Sequence, residues 1–324
     1  RNYHPFIVVG LGCPYGCDFC CTSHFFGKKH IKFLKTGEEI FREAIRLGKK
    51  FKTSDFSLGG DDNFLADENR ARELYEIVVK SKMQFHFFIF SSADLVMRWN
   101  PEELAEMGIS VLWIGRESKF APYGKNKNID IKALVENLRK VGIKTILSSI
   151  LLFDFHTKQN IWEDLEDHLA SKPTFSQFCF YGPGPGTPLY ERMEREGRLL
   201  KNIPFEEWHG FKQPWYTHPE FSLTEAEKVQ EKAYLEDYYR LGPSMVRLIR
   251  DELEGYLHLR ESDNPLLRDR AEFFAQKFPL YRALLKACEY LVPNPEMREK
   301  VREVRKRLEP VSYTHLTLPT NREV

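Results

Sequence analysis

From residue 5 to about residue 200 the chain alternates between two hydrophobic periods, and this alternation limits the possible folds more than any other feature. The apolar runs of strand length are PFIVVG, DFSLGG, FHFFIFSS, SVLWIG, KTILSSILLF and FSQFCFYG. Amphipathic stretches separate them. In ENRARELYEIVVKSK, Ala71, Leu74, Tyr75, Val78 and Val79 recur at the spacing of one helix face. DIKALVENLRKVG repeats the pattern and ends on a glycine suited to a C-cap. Nearly continuous apolar strands separated by helices predict a parallel sheet covered by helices. Six such units predict an α/β fold, an open, partial (β/α)6 TIM-like barrel rather than a complete eightfold one. In that architecture the loops after the strands carry the chemistry.

Beyond about residue 220 the strand signal ends. SLTEAEKVQEKAYLEDYYRL opens with Ser222 and Glu225 at capping-box spacing, and Pro243, Pro265 and Pro279 stand near the starts of further helical stretches. The expected organisation is a barrel over 1–205, a helical C-terminal region over 206–310, and a tail over 311–324. That tail, VSYTHLTLPTNREV, has neither helical nor strand period and reads as translated adaptor sequence, so His315 is not a candidate ligand. The chain opens on Arg1 and enters a strand almost at once, which reads as a missing N-terminal region. WHGFKQPWYTHPEF, residues 208–221, is expected to cross over the barrel, with the lining of a pocket for a large planar molecule as the alternative.

Lys and Arg number 48 against 47 Asp and Glu, for a formal net charge of +1. Such a balance gives no global attraction for a polyanion, so a nucleic-acid partner is not expected. No apolar run approaches the roughly 18 residues of a membrane span. Six cysteines in 324 residues do not resemble a disulfide framework, which points to a reducing, cytoplasmic setting where clustered thiols hold metal.

Four of those cysteines fall within nine positions, in GLGCPYGCDFCCTSHFFGKKH directly after the first strand-like run. A structural zinc site wants four closed ligands, usually two separated pairs. His24 can serve as a fourth ligand, yet no second pair exists. Cys179 lies in an apolar strand and Cys288 in an amphipathic helix, positions typical of small buried hydrophobes. Cys13, Cys17 and Cys20, spaced C-x3-C-x2-C, can instead hold three irons of a four-iron cluster, leaving the fourth iron open to a substrate or cofactor. Cys21 is not expected among the ligands, because adjacent cysteines do not easily face one cluster corner.

Three cysteines at this spacing, after the first strand of a six-unit barrel, resemble the radical S-adenosylmethionine (SAM) superfamily. The resemblance spans about residues 5–200. It implies a 4Fe–4S cluster on Cys13, Cys17 and Cys20 whose open iron chelates the methionine part of SAM. It further implies that Phe19 packs against the adenine. In LGGDDNF, Gly59, Gly60 and Asp61 stand where the family has Gly-Gly-Glu holding the methionine amino group, with Asp in place of Glu. In WIGRES, Glu117 and Ser118 are implied to reach the ribose or methionine end, while Arg116 is expected in a surface salt bridge. Asp154 and His156 in LLFDFHT face the same mouth, the histidine in a structural role.

The segment YGPGPGTPLYERMEREGRLL, together with DDNF, TSHFFGKKHIKFLKTG and LGPSMVRL, is similar to the branch that carries an N-terminal cobalamin-binding domain. This implies cobalamin in the full-length protein and methyl transfer to an unactivated carbon of a small molecule. An electron donor such as flavodoxin or ferredoxin would feed the cluster. The alternatives are a radical enzyme of cyclisation, rearrangement or sulfur insertion, and, from another class, a structural zinc or electron-transfer protein.

Overall fold

The computed structural model describes residues 3–59 and 63–314, with side chains described to residue 311. Gly60 and Asp61 therefore lie outside the described residues, as does the tail from 315 onward. Among the described residues there are eight strands: β1 (Phe6–Val8), β2 (Gly10–Leu11), β3 (Ile31–Lys32), β4 (Asp55–Gly59), β5 (His86–Phe90), β6 (Ile109–Glu117), β7 (Lys144–Leu151) and β8 (Phe175–Phe180). Helices of the first part are α1 (Cys21–Phe25), α2 (Gly37–Phe51), α3 (Glu68–Ser81), α4 (Ala93–Val96), α5 (Pro101–Glu106), α6 (Ile131–Lys140), α7 (Asn160–Ala170) and α8 (Pro188–Arg195). Then follow α9 (Leu223–Leu241), α10 (Ser244–Leu259), α11 (Pro265–Ala275), α12 (Phe278–Leu291) and α13 (Pro295–Thr314).

The six apolar runs form one parallel sheet in the order β1-β4-β5-β6-β7-β8, so neighbours in the sheet are successive strand–helix units. This is the open barrel expected from the alternation. Alternate residues divide the two faces of each strand. Phe56, Leu58, Phe87, Ile89, Leu112 and Ile114 are sealed under the helices, in a core shared with Ile40, Leu74, Val78 and Leu138. Phe88, Phe90 and Trp113, on the opposite face, are only half-buried and stand side by side, Phe90 and Trp113 with ring centroids 4.9 Å apart. Capping boxes start α2 (Thr36 with Glu39), α5 (Asn100 with Glu103) and α9 (Ser222 with Glu225).

One pairing had no periodic signal. β2 and β3 form a two-stranded antiparallel ladder, Gly10 opposite Lys32 and Leu11 opposite Ile31. The ladder closes the base of the whole cysteine segment.

The C-terminal helices join the barrel core rather than stand beside it. Val246, Ile249, Leu253, Leu267 and Phe274 belong to the same apolar cluster as Ile109, Leu138 and Ile143. α10 approaches the end of α6 so closely that a Cβ on Gly255 would come 2.5 Å from the Gly142 Cα. Arg270 donates to the carbonyls of Ile109, Val141 and Gly142, and Lys144 pairs with Glu252 at 3.0 Å. These contacts lie at the N-terminal ends of the strands, opposite the end where the strand-following loops gather. The crossing segment covers the free edge of β8, where Phe180 N donates to Gly210 O and Trp215 lies over Gly182.

Two enclosed histidines make the fold acid-sensitive. His86 stacks on Phe273 with centroids 3.8 Å apart, and burial, followed by the charge of Arg270, pushes its pKa down to about 2 from an ordinary 6.5. His168, held between Ser149 and Ser176 hydroxyls, is likewise pushed well below 6.5 by burial and by Arg116. Both are neutral in the native state, whereas the unfolded chain protonates them below 6.5. Their stabilisation is therefore complete above pH 6.5 and is lost as pH falls below it, each at up to ~1.4 kcal/mol per pH unit. Thermal unfolding of the apoprotein should show a lower midpoint at pH 5.5 than at pH 7.5, with a smaller drop in His86→Phe. Equal midpoints at the two pH values would contradict this.

Candidate functional site

After β1 and β2 the backbone turns sharply. Gly12 has φ +95, and a Cβ there would come 2.1 Å from the Lys29 carbonyl oxygen; Gly16 has φ +69. Only glycine fits the first position without displacing the neighbouring backbone. The buried hydroxyl of Ser23 straps the turn, donating to Cys13 O at 2.7 Å and accepting from Gly16 N at 2.9 Å. Cys13, Cys17 and Cys20 thereby line a single cleft of ≈ 190 Å³ at the C-terminal ends of the strands, together with Phe19, Trp113, Glu117 and Lys125. Burial pushes the Cys17 thiol up to about 11, against the pull of the Lys125 ammonium. Among the described residues no three His, Cys, Asp or Glu side chains are arranged to hold a single metal ion. A four-iron cluster, three of whose irons would each take one thiolate, needs the thiols only around one cavity.

The fourth cysteine behaves differently. Cys21 opens α1, and its sulfur lies against Gly184, where an added Cβ would come within 2.1 Å of it. Its thiol is thus turned toward the glycine–proline loop and not the cleft. His24 places Nε2 at 3.1 Å from Cys17 O, using its ring on the backbone.

Phe19 lines the cleft and packs edge-on against Tyr123 and Tyr181, with centroids 5.5 and 5.9 Å away. Its neighbour Asp18, which the sequence did not single out, ties the loop down. Its two carboxylate oxygens accept from the Tyr123 and Tyr181 hydroxyls, each at 2.6 Å. Burial, with the Asp18 hydrogen bonds, raises both tyrosine pKa values, so both remain donors. Asp18→Ala is expected to cost about 2–4 kcal/mol, because two charge-assisted bonds go and two half-buried hydroxyls lose their acceptor. Hydrogen exchange should quicken over residues 13–20 in the variant; unchanged exchange there would remove the clamp from the account.

Glu117 ends β6 beyond a register shift between Gly115 and Glu117, with φ +60. Such a bulge re-aims the side chain, here into the cleft, where it pairs with Lys125. Lys125 was not foreseen. It rides on a short 3-10 turn (Gly124–Asn126), and Asn126 Nδ2 fixes that turn by donating to Gly115 O and Arg116 O at 2.9 and 2.7 Å. Burial would lower the Lys125 pKa, but the charges of Glu117 and of the thiols outweigh it and hold the ammonium charged. Ser118 turns the other way. It is buried 3.5 Å from His156 Nε2 and outside the cleft lining.

Arg116, expected at the surface, is only 2% exposed. It donates to Ser149, Asp164 and Asp167, and Asp164 also receives His156 at 3.2 Å. His156 is fully enclosed in this network, a structural position. Asp154 pairs with Arg192 and Arg198, tying the loop after β7 to α8 and to the segment that follows α8. Gly59 lies beneath the Phe6 ring, where an added Cβ would come within 1.6 Å of it. Asn63 accepts from Ser91 Oγ and Ser92 N at the cleft wall, and its side chain makes no capping bond to the 3-10 turn that follows it.

Six parallel strand–helix units with a three-thiol turn after the first strand define the class, and residues 7–168, half of the chain, match the Radical SAM superfamily. The chain belongs to that superfamily, whose members use a 4Fe–4S cluster and SAM. It is 27% identical over 237 residues to bacteriochlorophyllide d C-12(1)-methyltransferase of Chlorobaculum tepidum, covering 70% of this chain and 51% of the relative. It is 26% identical over 209 residues to hopanoid C-2 methylase of Rhodopseudomonas palustris, covering 60% and 38%. The chain thus spans about half or less of these curated relatives. Its fold is similar to that of TsrM, a radical SAM methyltransferase from Kitasatospora setae solved with cobalamin and a [4Fe-4S] cluster. The TM-score is 0.59 at 15% identity, covering 86% of this chain and 61% of that one. No helix among the described residues is long and apolar enough to cross a membrane.

Proposed function

We propose that this chain is the radical-generating part of a cobalamin-dependent methyltransferase acting on an unactivated carbon of a small molecule, in a reducing cytoplasm. The observation that carries the reading is the convergence of Cys13, Cys17 and Cys20 on one cleft at the C-terminal ends of the strands. These thiols would hold the cluster, which when bound supplies one electron to SAM and splits it into methionine and a 5′-deoxyadenosyl radical. Gly59, Gly60, Asp61, Glu117 and Ser118 are the positions assigned to cofactor contacts by resemblance. Of them the geometry favours Glu117, which faces the cleft, over Ser118, which faces away. Phe19, which the resemblance assigns to the adenine, lines the cleft and is braced by its own ring neighbours. The half-buried Phe90 and Trp113 line the same cleft as an apolar wall, which would shield a substrate carbon bound there from water.

Cobalamin rests on the relatives: TsrM is described with it bound, and the methyltransferase names of the other relatives agree. Its binding segment would lie in the half of those proteins that this chain does not span. The test is an anaerobic assay of the full-length protein with SAM, cobalamin and reductant. Methyl transfer of this kind uses one SAM as radical source and one as methyl source. It should therefore yield 5′-deoxyadenosine and S-adenosylhomocysteine together. 5′-Deoxyadenosine alone would favour cyclisation, rearrangement or sulfur insertion; neither product would refute the radical reading.

A further inference from the structure

The proposed reaction needs electrons delivered singly from outside, and the structure marks where they would enter. Between Asp18 and Glu38 the chain carries four lysines and no acidic residue. Within that stretch Phe25, Ile31 and Phe33 are 67%, 44% and 53% exposed, and Lys28, Lys29, Lys32 and Lys35 are all exposed. Lys32 pairs with Asp67, whereas Lys28, Lys29 and Lys35 make no ion pair among the described residues. This face adjoins the thiols directly. A Cβ on Gly16, between Cys13 and Cys17, would come 3.0 Å from the Lys28 side chain. It is also held rigidly. The β2–β3 ladder closes one end, and Lys28 N donates to Ser23 O at 2.7 Å beside the Ser23 strap on Cys13.

We propose that the Phe25–Lys35 face is the docking surface for an acidic one-electron carrier of the flavodoxin type, resting on the radical reading above. Exposed lysines, three of them without an ion pair among the described residues, set around exposed aromatic rings match an acidic rim around an apolar flavin edge, and opposite charge raises the encounter rate. Such a carrier passes one electron to the cluster. Its flavin goes from the anionic hydroquinone to the neutral one-electron-oxidised form, and no proton or heavy atom is exchanged. Lysines with exposed phenylalanines also suit an anionic membrane. An amphipathic membrane-surface helix presents a long apolar stripe, whereas this face is the end of the five-residue α1 followed by a turn and a two-stranded ladder over the cluster loop.

The experiment compares the anaerobic reconstituted protein with Lys29→Glu/Lys35→Glu and with Phe25→Ser, whose side chains are outside the cleft lining. Binding of a purified flavodoxin is followed by calorimetry at 50 and 300 mM salt. SAM cleavage is driven either by photoreduced flavodoxin or by dithionite. The expected result is at least tenfold weaker flavodoxin binding and slower flavodoxin-driven cleavage in the double charge variant. Dithionite-driven cleavage should be unchanged, and wild-type binding should weaken at the higher salt. Equal flavodoxin binding by wild type and double variant overturns the proposal, as does absence of binding. So does lysine-dependent capture of phosphatidylglycerol vesicles with flavodoxin-driven cleavage unaffected. If wild type fails to cleave SAM even with dithionite, the radical reading itself falls and takes the docking proposal with it.

Discussion

Cys17→Ala is expected to abolish cofactor cleavage, reducing 5′-deoxyadenosine to background while leaving the fold intact. Cys17 is only partly enclosed, and its removal takes away one sulfur from a turn otherwise fixed by Gly12, Ser23 and the Asp18 clamp. The thermal midpoint of the apoprotein should therefore move little. Iron uptake should fall steeply, since two remaining thiolates leave two irons of a four-iron cluster without protein ligands. Cys21 does not substitute, because its sulfur is packed against Gly184 at the start of α1. Cys21→Ala is the matching control and should retain both iron and cleavage. Full iron loading in Cys17→Ala would place the cluster elsewhere.

The largest effect on stability is expected at Arg116. Its guanidinium bridges Ser149 on β7 to Asp164 and Asp167 on α7, and Asp164 is itself only 3% exposed. Burial alone would raise the Asp164 pKa, but the His156 hydrogen bond and the Arg116 charge hold it well below the usual carboxylate range. Removing the arginine strands a buried carboxylate, which costs about 3–5 kcal/mol, whereas an exposed pair costs under about 1. With an unfolding entropy of roughly 2.1 cal/mol/K per residue, the midpoint of Arg116→Ala should fall by roughly 4–7 °C. The double variant Arg116→Ala/Asp164→Ala should lose less than the sum of the single losses, because the two share one interaction. A change within about 0.5 kcal/mol would return Arg116 to the surface role that its sequence context suggests.

That residue shows where sequence reasoning stops. The six strands are legible because each is a run of apolar residues longer than a turn, bounded by an amphipathic helix. β2 and β3, two residues each, are too short to carry a period, yet they close the cysteine segment. Cys13, Cys17 and Cys20 are legible because thiols are rare and their spacing is chemical. Lys125 is not, since GKN in a polar loop has no pattern until the bulge at Gly115–Glu117 gives Asn126 two carbonyls to bind. Asp18 likewise finds its partners 105 and 163 residues away. Arg116 was misread because Asp164 and Asp167 lie 48 and 51 residues further on, and nothing local says that they return to it. For the C-terminal helices, an apolar face is evident in the sequence. What that face meets becomes visible only where Gly255 touches Gly142 and Arg270 closes the carbonyls at the base of the barrel.

The central claim is that three sulfurs around one cleft hold an iron cluster with a corner open to SAM. Electron paramagnetic resonance of the anaerobically reconstituted, reduced protein, with iron quantified in the same sample, addresses it most directly. The account predicts about four irons per chain and a signal that changes shape when SAM is added. Stoichiometric zinc with no iron, or a cluster signal indifferent to SAM, would contradict it.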